Sequence, residues 1–494
     1  MAKIASTKRN VAYNTIYELI TVLISFITGP YVARVLTPER IGVYSYVNSY
    51  SAYFDMFATL GTAAYGSRVI SRLRDDSLAY SKAFWEIKLV SFFTSFICLL
   101  LWQIVVFTGQ SEYRIYYIIL SLNVIHCFMN ISWLFTGLER FRLLVTLELI
   151  VRLASTACIY IFVRQPADLT IYVLLLTGSN VISDLLLWLN LPKLLSKVHL
   201  HTLKPFTHIK GTIAFFLPAI ASSIASLLDV TLLGALFEDK SESGYYYEAE
   251  KIISMIKRFV YKAINAVVGI RSAYLFGQKK FDELKAYLHK SLDFIMLIGI
   301  GAIFGIAGIS FTFVPLYLGS GYEAVITLLF VLAPLVIIQG TSNALSAQYY
   351  TAAGRRAECA KYIMAGSIVN LILNIIFIPL LGALGACITT LIAEIITSIL
   401  YVKNCDSYIL PHDLWRFARK RLLAGAVMFV CVYLMGFIKL PAIVLVVIQL
   451  GVGCCIYFAT LILIKDAAAY KYTHLALDTL KRFKLLLFKK LRLR

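Results

Sequence analysis

Long apolar runs, separated by short polar turns, fill the chain almost from end to end. A helix needs about twenty apolar residues to cross the roughly 30 Å hydrocarbon core of a bilayer. On that measure the pattern predicts fourteen spans, at 11–33, 41–64, 83–107, 114–136, 143–163, 169–191, 210–237, 244–270, 289–314, 324–350, 360–379, 383–402, 419–438 and 441–464. The expected fold class is therefore all-α, a polytopic membrane protein with 14 transmembrane helices. The first, second and eighth spans are the most polar. The longest loops, 191–210 and 402–419, are too small to fold as domains, so no soluble domain is left to carry ordinary enzyme chemistry.

The eighth span breaks the pattern. GYYYEAEKIISMIKRFVYKAINAVVGI carries Lys251, Lys257, Arg258 and Lys262 in its middle. On a helical wheel at about 100° per residue, with Lys251 at zero, Arg258 falls near −20° and Lys262 near +20°. Ile252, Ile253, Ile256, Val260, Ala263 and Val267 occupy the opposite side, and Lys257 stands apart near −120°. A charge at mid-bilayer costs about 2.5–3.5 kcal/mol even on insertion scales. The Lys251, Arg258 and Lys262 stripe is therefore expected to face water, a counter-charge or an anionic ligand. Lys257 is expected to pair with an acid on a neighbouring helix or to snorkel.

Composition agrees with the pattern: 60% of the 494 residues are hydrophobic and the mean hydropathy is +0.79. The formal net charge of +20 is explained by position. With the N-terminus inside, and cations at the ends of spans counted with the adjoining loops, 35 of the 47 Lys and Arg fall in inside segments, six in outside loops and six within spans. That bias is the positive-inside rule over an even number of crossings, and it puts both termini in the cytoplasm. The tail KRFKLLLFKKLRLR interleaves cations with apolar residues and reads as a helix lying on anionic lipid, not as a nucleic-acid arm. MAKIASTKRN is basic, but the apolar run after it lacks a small-residue cleavage site and is expected to be retained. Most of the nine cysteines lie inside apolar runs, with no CxxC pair or Cys/His ligand spacing, so neither a disulfide framework nor a metal site is expected.

No P-loop, GxSxG, HExxH or DxD-type motif stands out, so no nucleotide cofactor is expected and a glycosyltransferase is unsupported. The candidate chemistry is then the polar residues within spans. Glu148 and Arg152 are four apart on one face and are expected to pair, as a structural lock, a gate or a carrier of a coupling proton. Asp229, mid-span in SSIASLLDVTLLG, needs a partner, for which the cations of the eighth span are the nearest in sequence. His126 alone among the histidines lies well inside a span, as a packed polar group or a proton relay. Glu394 and Asp184 read as packing or lining residues. Arg34 lies near the outer end of span 1, placed to snorkel or to meet a ligand.

A faint repeat links LTPERIGVYSYVNSY after span 1 with FEDKSESGYYYEAE after span 7. In each, a charged turn leads to Gly-x-Tyr, at Gly42 and Gly244. LDVTLLGALFEDKSESGYYYEAEKI, then VVGIRSAYLFGQKKFDELKAYL with Arg271, resembles the second half of bacterial polysaccharide flippases of the Wzx type. These belong to the multidrug/oligosaccharidyl-lipid/polysaccharide exporter superfamily. LGSGYEAVITLLFVLAPLVIIQGTSNALSAQYYTAAGRRAE, SIVNLILNIIFIPLLGALGACITTLIAE, YVARVLTPERIGVYSY, LGTAAYGSR and FTGLERF match in order across essentially the whole chain. The sequence departs at VVGIRS and YYTAAGRR, each lacking a proline usual in relatives.

The resemblance implies two six-helix lobes, 1–208 and 209–404, in a V around a central cavity that opens alternately to each side. Helices 13–14 (405–466) and the basic amphipathic tail (467–494) follow. It implies transport of an undecaprenyl-diphosphate-linked oligosaccharide from the inner to the outer leaflet of the bacterial cytoplasmic membrane, for capsule, O-antigen or a similar polymer. An ion or proton gradient would supply the energy, and a polysaccharide polymerase and glycosyltransferases would be partners. Lys251, Arg258 and Lys262 match the family's cationic lumen and, with Arg34 and Arg271, are the candidate substrate-binding residues; Asp229, Glu148 and Arg152 are the candidate coupling or gating residues. Alternatives are a peptidoglycan-precursor flippase and a multidrug exporter, the latter disfavoured by a cationic lumen. Outside transport, a membrane polymerase would need a large outside loop, which the chain lacks, and a scaffold of a sugar-assembly complex is a further alternative.

Overall fold

In the computed structural model the described residues are 7–258, 260 and 271–473; for 7–16, 18, 19, 200, 217–219, 221, 222, 225 and 226 the backbone alone is described. Among these residues the chain is helical throughout, without strands. The helices are α1 (Thr7–Thr59), α2 (Thr62–Leu73), α3 (Ser77–Thr108), α4 (Arg114–Met129), α5 (Ser132–Gly137), α6 (Phe141–Phe162), α7 (Leu169–Asn190), α8 (Ile209–Leu236) and α9 (Ser241–Lys257). After a helical run at 271–277 come α10 (Phe281–Tyr317), α11 (Glu323–Leu332), α12 (Leu335–Leu345), α13 (Arg356–Lys403), α14 (Pro411–Met435) and α15 (Ala442–Leu463). Each of the expected spans overlaps one of them. Among the described residues, nine helical stretches are long and apolar enough to cross a membrane.

Two of the nine are too long for one crossing. Ile20–Leu73 has 54 residues, about 80 Å of helix at roughly 1.5 Å per residue. It breaks at Thr37, whose φ of 68° and ψ of 161° are not helical, and again at Leu60 and Gly61, both at positive φ. Pro38 opens the half that follows Thr37, where a missing N–H costs nothing. The 48 residues of α13 break at Gly382, with φ 56° and ψ −134°. At YYTAAGRR a break forms without proline: a π-turn at Ser346–Tyr350 ends α12, and Gly354 takes φ 73° before α13 begins. Arg355 fixes this loop through Glu358 at 2.6 Å and Asp406 at 2.8 Å, and its guanidinium holds the Glu358 carboxyl below the usual carboxylate range.

The surface is apolar and the interior holds charge. Phe107, Leu380 and Leu463 are 73%, 74% and 80% exposed, whereas Lys88, Asp229 and Arg421 are 0%, 1% and 2% exposed. In water that apolar exposure would drive aggregation; in hydrocarbon it is the required coat.

The helices group into two compact units. The first comprises residues up to Tyr247 with Leu318–Gly321 and Asn370–Ala386; the second comprises Glu248–Tyr317, Tyr322–Val369 and residues from Cys387 on. This division follows packing, and 209–247 groups with the first unit. The faint repeat explains part of that placement. A Cβ on Gly42 would strike the Lys240 carbonyl, and one on Gly244 would strike the Pro38 carbonyl. The two Gly-x-Tyr turns therefore pack reciprocally, backbone on backbone, and Ser45 and Ser243 join them through a 2.9 Å hydroxyl bond. Only glycine allows so close an approach.

Within the first unit, Phe84 stacks on Trp133 at 5.3 Å amid Ile70, Ile87, Leu134 and Leu187. In the second, Arg421 of α14 ties α10 down. Its Nη2 donates to Asp293 Oδ1 and its Nη1 to the Asp293 carbonyl, each at 2.6 Å, and Asp466 lies 3.4 Å from its Nε. Arg421→Ala leaves these acids without their cation. The expected loss is ~3–5 kcal/mol, the cost of breaking a buried pair, read as a lowered Tm of the detergent-solubilised protein. Lys280→Ala, which removes the exposed pair with Glu283, is expected to change stability by less than about 1 kcal/mol.

Candidate functional site

The helix α9 and the residues after it carry the charged stripe. Glu242, in its first turn, suits the positive end of the helix dipole and accepts a 2.6 Å bond from the Ala383 N–H just after the break in α13. Ile252, Ile253 and Val260 are buried at 6%, 0% and 5%, as the wheel requires for the apolar side. The opposite side carries charge, but the acids on the same helix neutralise much of it. Lys251 Nζ lies 2.9 Å from Oε1 and 3.1 Å from Oε2 of Glu248, which is 1% exposed. Tyr317 lies within electrostatic reach of this pair.

Lys257 is buried and lies 3.3 Å from Glu250 Oε1. Its acid is thus on its own helix, two turns back, not on a neighbouring one as expected, because a seven-residue step returns to nearly the same face. Ser254 donates to the same Glu250 oxygen. Glu394 of α13, bonded by Gln339 Nε2 at 2.9 Å, lies within electrostatic reach of Lys257. Arg258 follows in a π-turn with its side chain exposed. Lys262 lies outside the described residues.

The other candidates are dispersed. Arg271 is exposed, its guanidinium 5.2 Å from the Tyr274 ring on the same helical run. Arg34, in the first unit, packs its Cγ against Gly319, 2.9 Å from where a Cβ would stand. Asp229 is buried, and it accepts from Tyr246 Oη and Asn374 Nδ2, both at 2.6 Å. Lys251, in the second unit, pairs with Glu248, and Lys262 lies outside the described residues. Tyr246 does come from the expected helix. Glu148 and Arg152 do not form the expected mutual pair. Glu148 bonds Tyr17, and Arg152 Nη2 donates to Ser25 at 3.4 Å.

Lys88 was not singled out from sequence, and His126 and Asp184 were singled out separately but not as a pair. Lys88 is 0% exposed, its ammonium donating to the carbonyls of Phe128 at 2.7 Å and Asn130 at 2.8 Å, where α4 ends. His126 Nδ1 meets Asp184 Oδ2 at 2.6 Å. Neither pairing has a signal in sequence spacing, since the partners lie 40 to 58 residues apart. Glu248–Lys251 and Glu250–Lys257 do have one, at helical spacings of three and seven. Among the described residues no group of His, Cys, Asp and Glu could hold a metal ion. Chemically, α9 presents ion pairs that an incoming anion would have to exchange, and the exposed Arg258 just after it carries a guanidinium able to bind phosphate oxygens in pairs.

A sequence profile of the family described as polysaccharide biosynthesis protein matches residues 7–268. The chain is 24% identical over 420 residues to a protein named putative O-antigen transporter from Escherichia coli K12, a match spanning 81% of this chain and 97% of the relative. In three dimensions it is similar to the lipid II flippase MurJ in an inward closed conformation, with TM-score 0.65 and 15% identity over 92% of this chain and 99% of that one. It is also similar to an inward-facing multidrug resistance transporter of the MATE family in the MOP superfamily, with TM-score 0.61 and 14% identity over 86% and 98%. The two structural likenesses show that the chain shares the fold of these transporters.

Lys251→Gln strands the Glu248 carboxylate. The expected destabilisation is about 2 kcal/mol, below the ~3–5 of a fully buried pair, because the Lys251 side chain keeps 23% exposure. Adding Glu248→Gln recovers most of it. A double-mutant cycle on Tm in detergent measures the coupling, and additive single losses would show that the pair does not act as one.

Proposed function

The chain is a member of the polysaccharide biosynthesis protein family, and on that premise we propose that it is a flippase for a polyprenyl-diphosphate-linked oligosaccharide. It moves the lipid-linked sugar from the inner to the outer leaflet of the bacterial cytoplasmic membrane, for O-antigen, capsule or a similar polymer. The observation that carries this reading is the match, over 81% of this chain and 97% of the relative, to a protein named putative O-antigen transporter. Fourteen crossings with cytoplasmic termini fit the distribution of Lys and Arg between alternate loops, and alternating access driven by an ion or proton gradient fits a chain without a nucleotide motif.

The chemistry of α9 supports the anionic substrate. The exposed Arg258 matches a diphosphate in geometry and charge, and Lys251 would exchange Glu248 for a phosphate oxygen as the ligand enters. Arg34, Arg271 and Lys262 are candidates for further phosphate or sugar contacts, and Asp229, Glu148 and Arg152 for coupling or gating. A carrier of cationic drugs would gain nothing from such an arrangement. The likeness to MurJ, at 15% identity, speaks for the fold and gives no separate support to a peptidoglycan precursor. The polymerase and glycosyltransferases that make and consume the carried unit are the proposed partners, and anionic lipid is proposed for the basic tail, most of which lies outside the described residues.

The test replaces Arg258, Lys251 and Lys262 singly by Gln in a strain lacking its own flippase. Arg258→Gln is expected to lower surface polymer about 10–100-fold, while lipid-linked precursor accumulates inside. That range corresponds to the ~1.5–3 kcal/mol of hydrogen bonds to a charged group. Arg258→Lys is expected to restore only part, since an ammonium cannot bind bidentately. Unchanged polymer in all three variants would sink the proposal that this stripe binds the substrate.

A further inference from the structure

The interior of the first unit holds more charge than a static helix bundle needs. Around His126 of α4 are Asp55 from the second half of α1, Lys88 of α3, Glu148 and Arg152 of α6 and Asp184 of α7, with Tyr17 from the first half of α1. Cys127 beside it and Cys98 of α3 complete the titratable groups facing this centre. His126 bonds Asp184 at 2.6 Å. Asp184 is 2% exposed, while the imidazole keeps 31% of its side chain exposed. Lys88 is held by two carbonyls, as described, and by the Phe92 ring, 4.8 Å from its ammonium. Asp55 is the odd member. Its Oδ1 is buried and has no hydrogen-bond partner, and the Cys127 thiol reaches its main-chain carbonyl at 3.8 Å.

The charges do not balance by themselves. With Lys88 and Arg152 both charged, two cations face the three carboxylates Asp55, Glu148 and Asp184. The centre is neutral only when it binds one further proton, on His126 or on a carboxyl. A net charge left in the membrane interior costs several kcal/mol. A carboxylate oxygen buried without a donor costs about 1–3 kcal/mol more. Both penalties disappear on binding one proton. Among the described residues the same groups are not placed to hold a metal ion.

We propose that the Asp55–His126–Asp184 cluster is a proton-binding centre that takes up and releases one proton in each transport cycle. The proton bridges Asp184 and the imidazole in the loaded state, and the Asp55 carboxyl, whose buried Oδ1 has no donor, is its alternative seat. Release leaves the unit one charge more negative, and that unfavourable state is relieved by reloading from the other side of the membrane. Coupling to transport rests on the flippase reading; proton binding does not.

Two arms keep these apart. The first follows deuterium exchange at the His126 ring C2–H by mass spectrometry, across pH 5 to 9, in the full-length protein in detergent. A titration is expected, and Asp184→Asn and Asp55→Asn each move its midpoint down by about one pH unit or more, since each removes an anion that favours the imidazolium. A midpoint indifferent to both substitutions overturns the proposal. The second expresses His126→Gln and Asp184→Asn in the strain lacking its own flippase. Surface polymer is expected to fall at least tenfold, with elution from size-exclusion chromatography unchanged, and Asp184→Glu is expected to regain part of it. Full export by His126→Gln overturns the coupling. Should the unsubstituted chain export no polymer, the flippase reading fails and the exchange arm still decides proton binding.

Discussion

Charge inside hydrocarbon is the constraint on which the rest of this structure depends. An ion in the membrane interior is tolerated only if something nearby compensates it, and the described interior shows the ways open to a helical protein. Arg421 is held by Asp293 and Asp466, and Lys257 by Glu250. Lys88 instead uses carbonyls freed where α4 ends, and Asp229 uses a phenol and an amide. Each solution ties together elements that apolar contact alone would leave free to slide, since lipid competes equally well for a leucine.

Departures from full compensation mark where the molecule can act. Arg258 keeps its guanidinium exposed, and Lys251 sits in a half-buried pair that a stronger anion can open. The His126 centre is one proton short of neutrality. The first two suit capture of a phosphate, and the third suits a gradient. Transport needs both, a ligand that is held and then released and a source of free energy for the return, and the chain keeps the two chemistries on different sets of helices.

The glycines at the Gly-x-Tyr turns show a second economy. Gly42 and Gly244 let two backbones meet where any side chain would intervene, and Ser45 with Ser243 fixes the register. The repeat visible as a few letters is thus a contact surface used twice, once from each side. Its consequence for the compact units, that 209–247 packs with what precedes it, is not visible in letters, because a repeat boundary records ancestry and a unit boundary records packing.

The sequence by itself determined the all-α membrane class, the placement of the helices and the apolar side of α9. These follow from hydropathy over twenty residues and from helical period, both local properties of the chain. The family was legible too, from ordered blocks spread over the whole length. What only the tertiary structure decided was which charge meets which. Lys257 found its acid two turns back, Glu148 took Tyr17 and left Arg152 to Ser25, and Asp229 met Tyr246 and Asn374. The His126–Asp184 bond joins residues 58 apart. Pairing of this kind depends on how helices rotate and dock, and many partners of equal chemistry are available along the chain. Local period fixes the face a residue occupies, and only packing fixes what stands opposite.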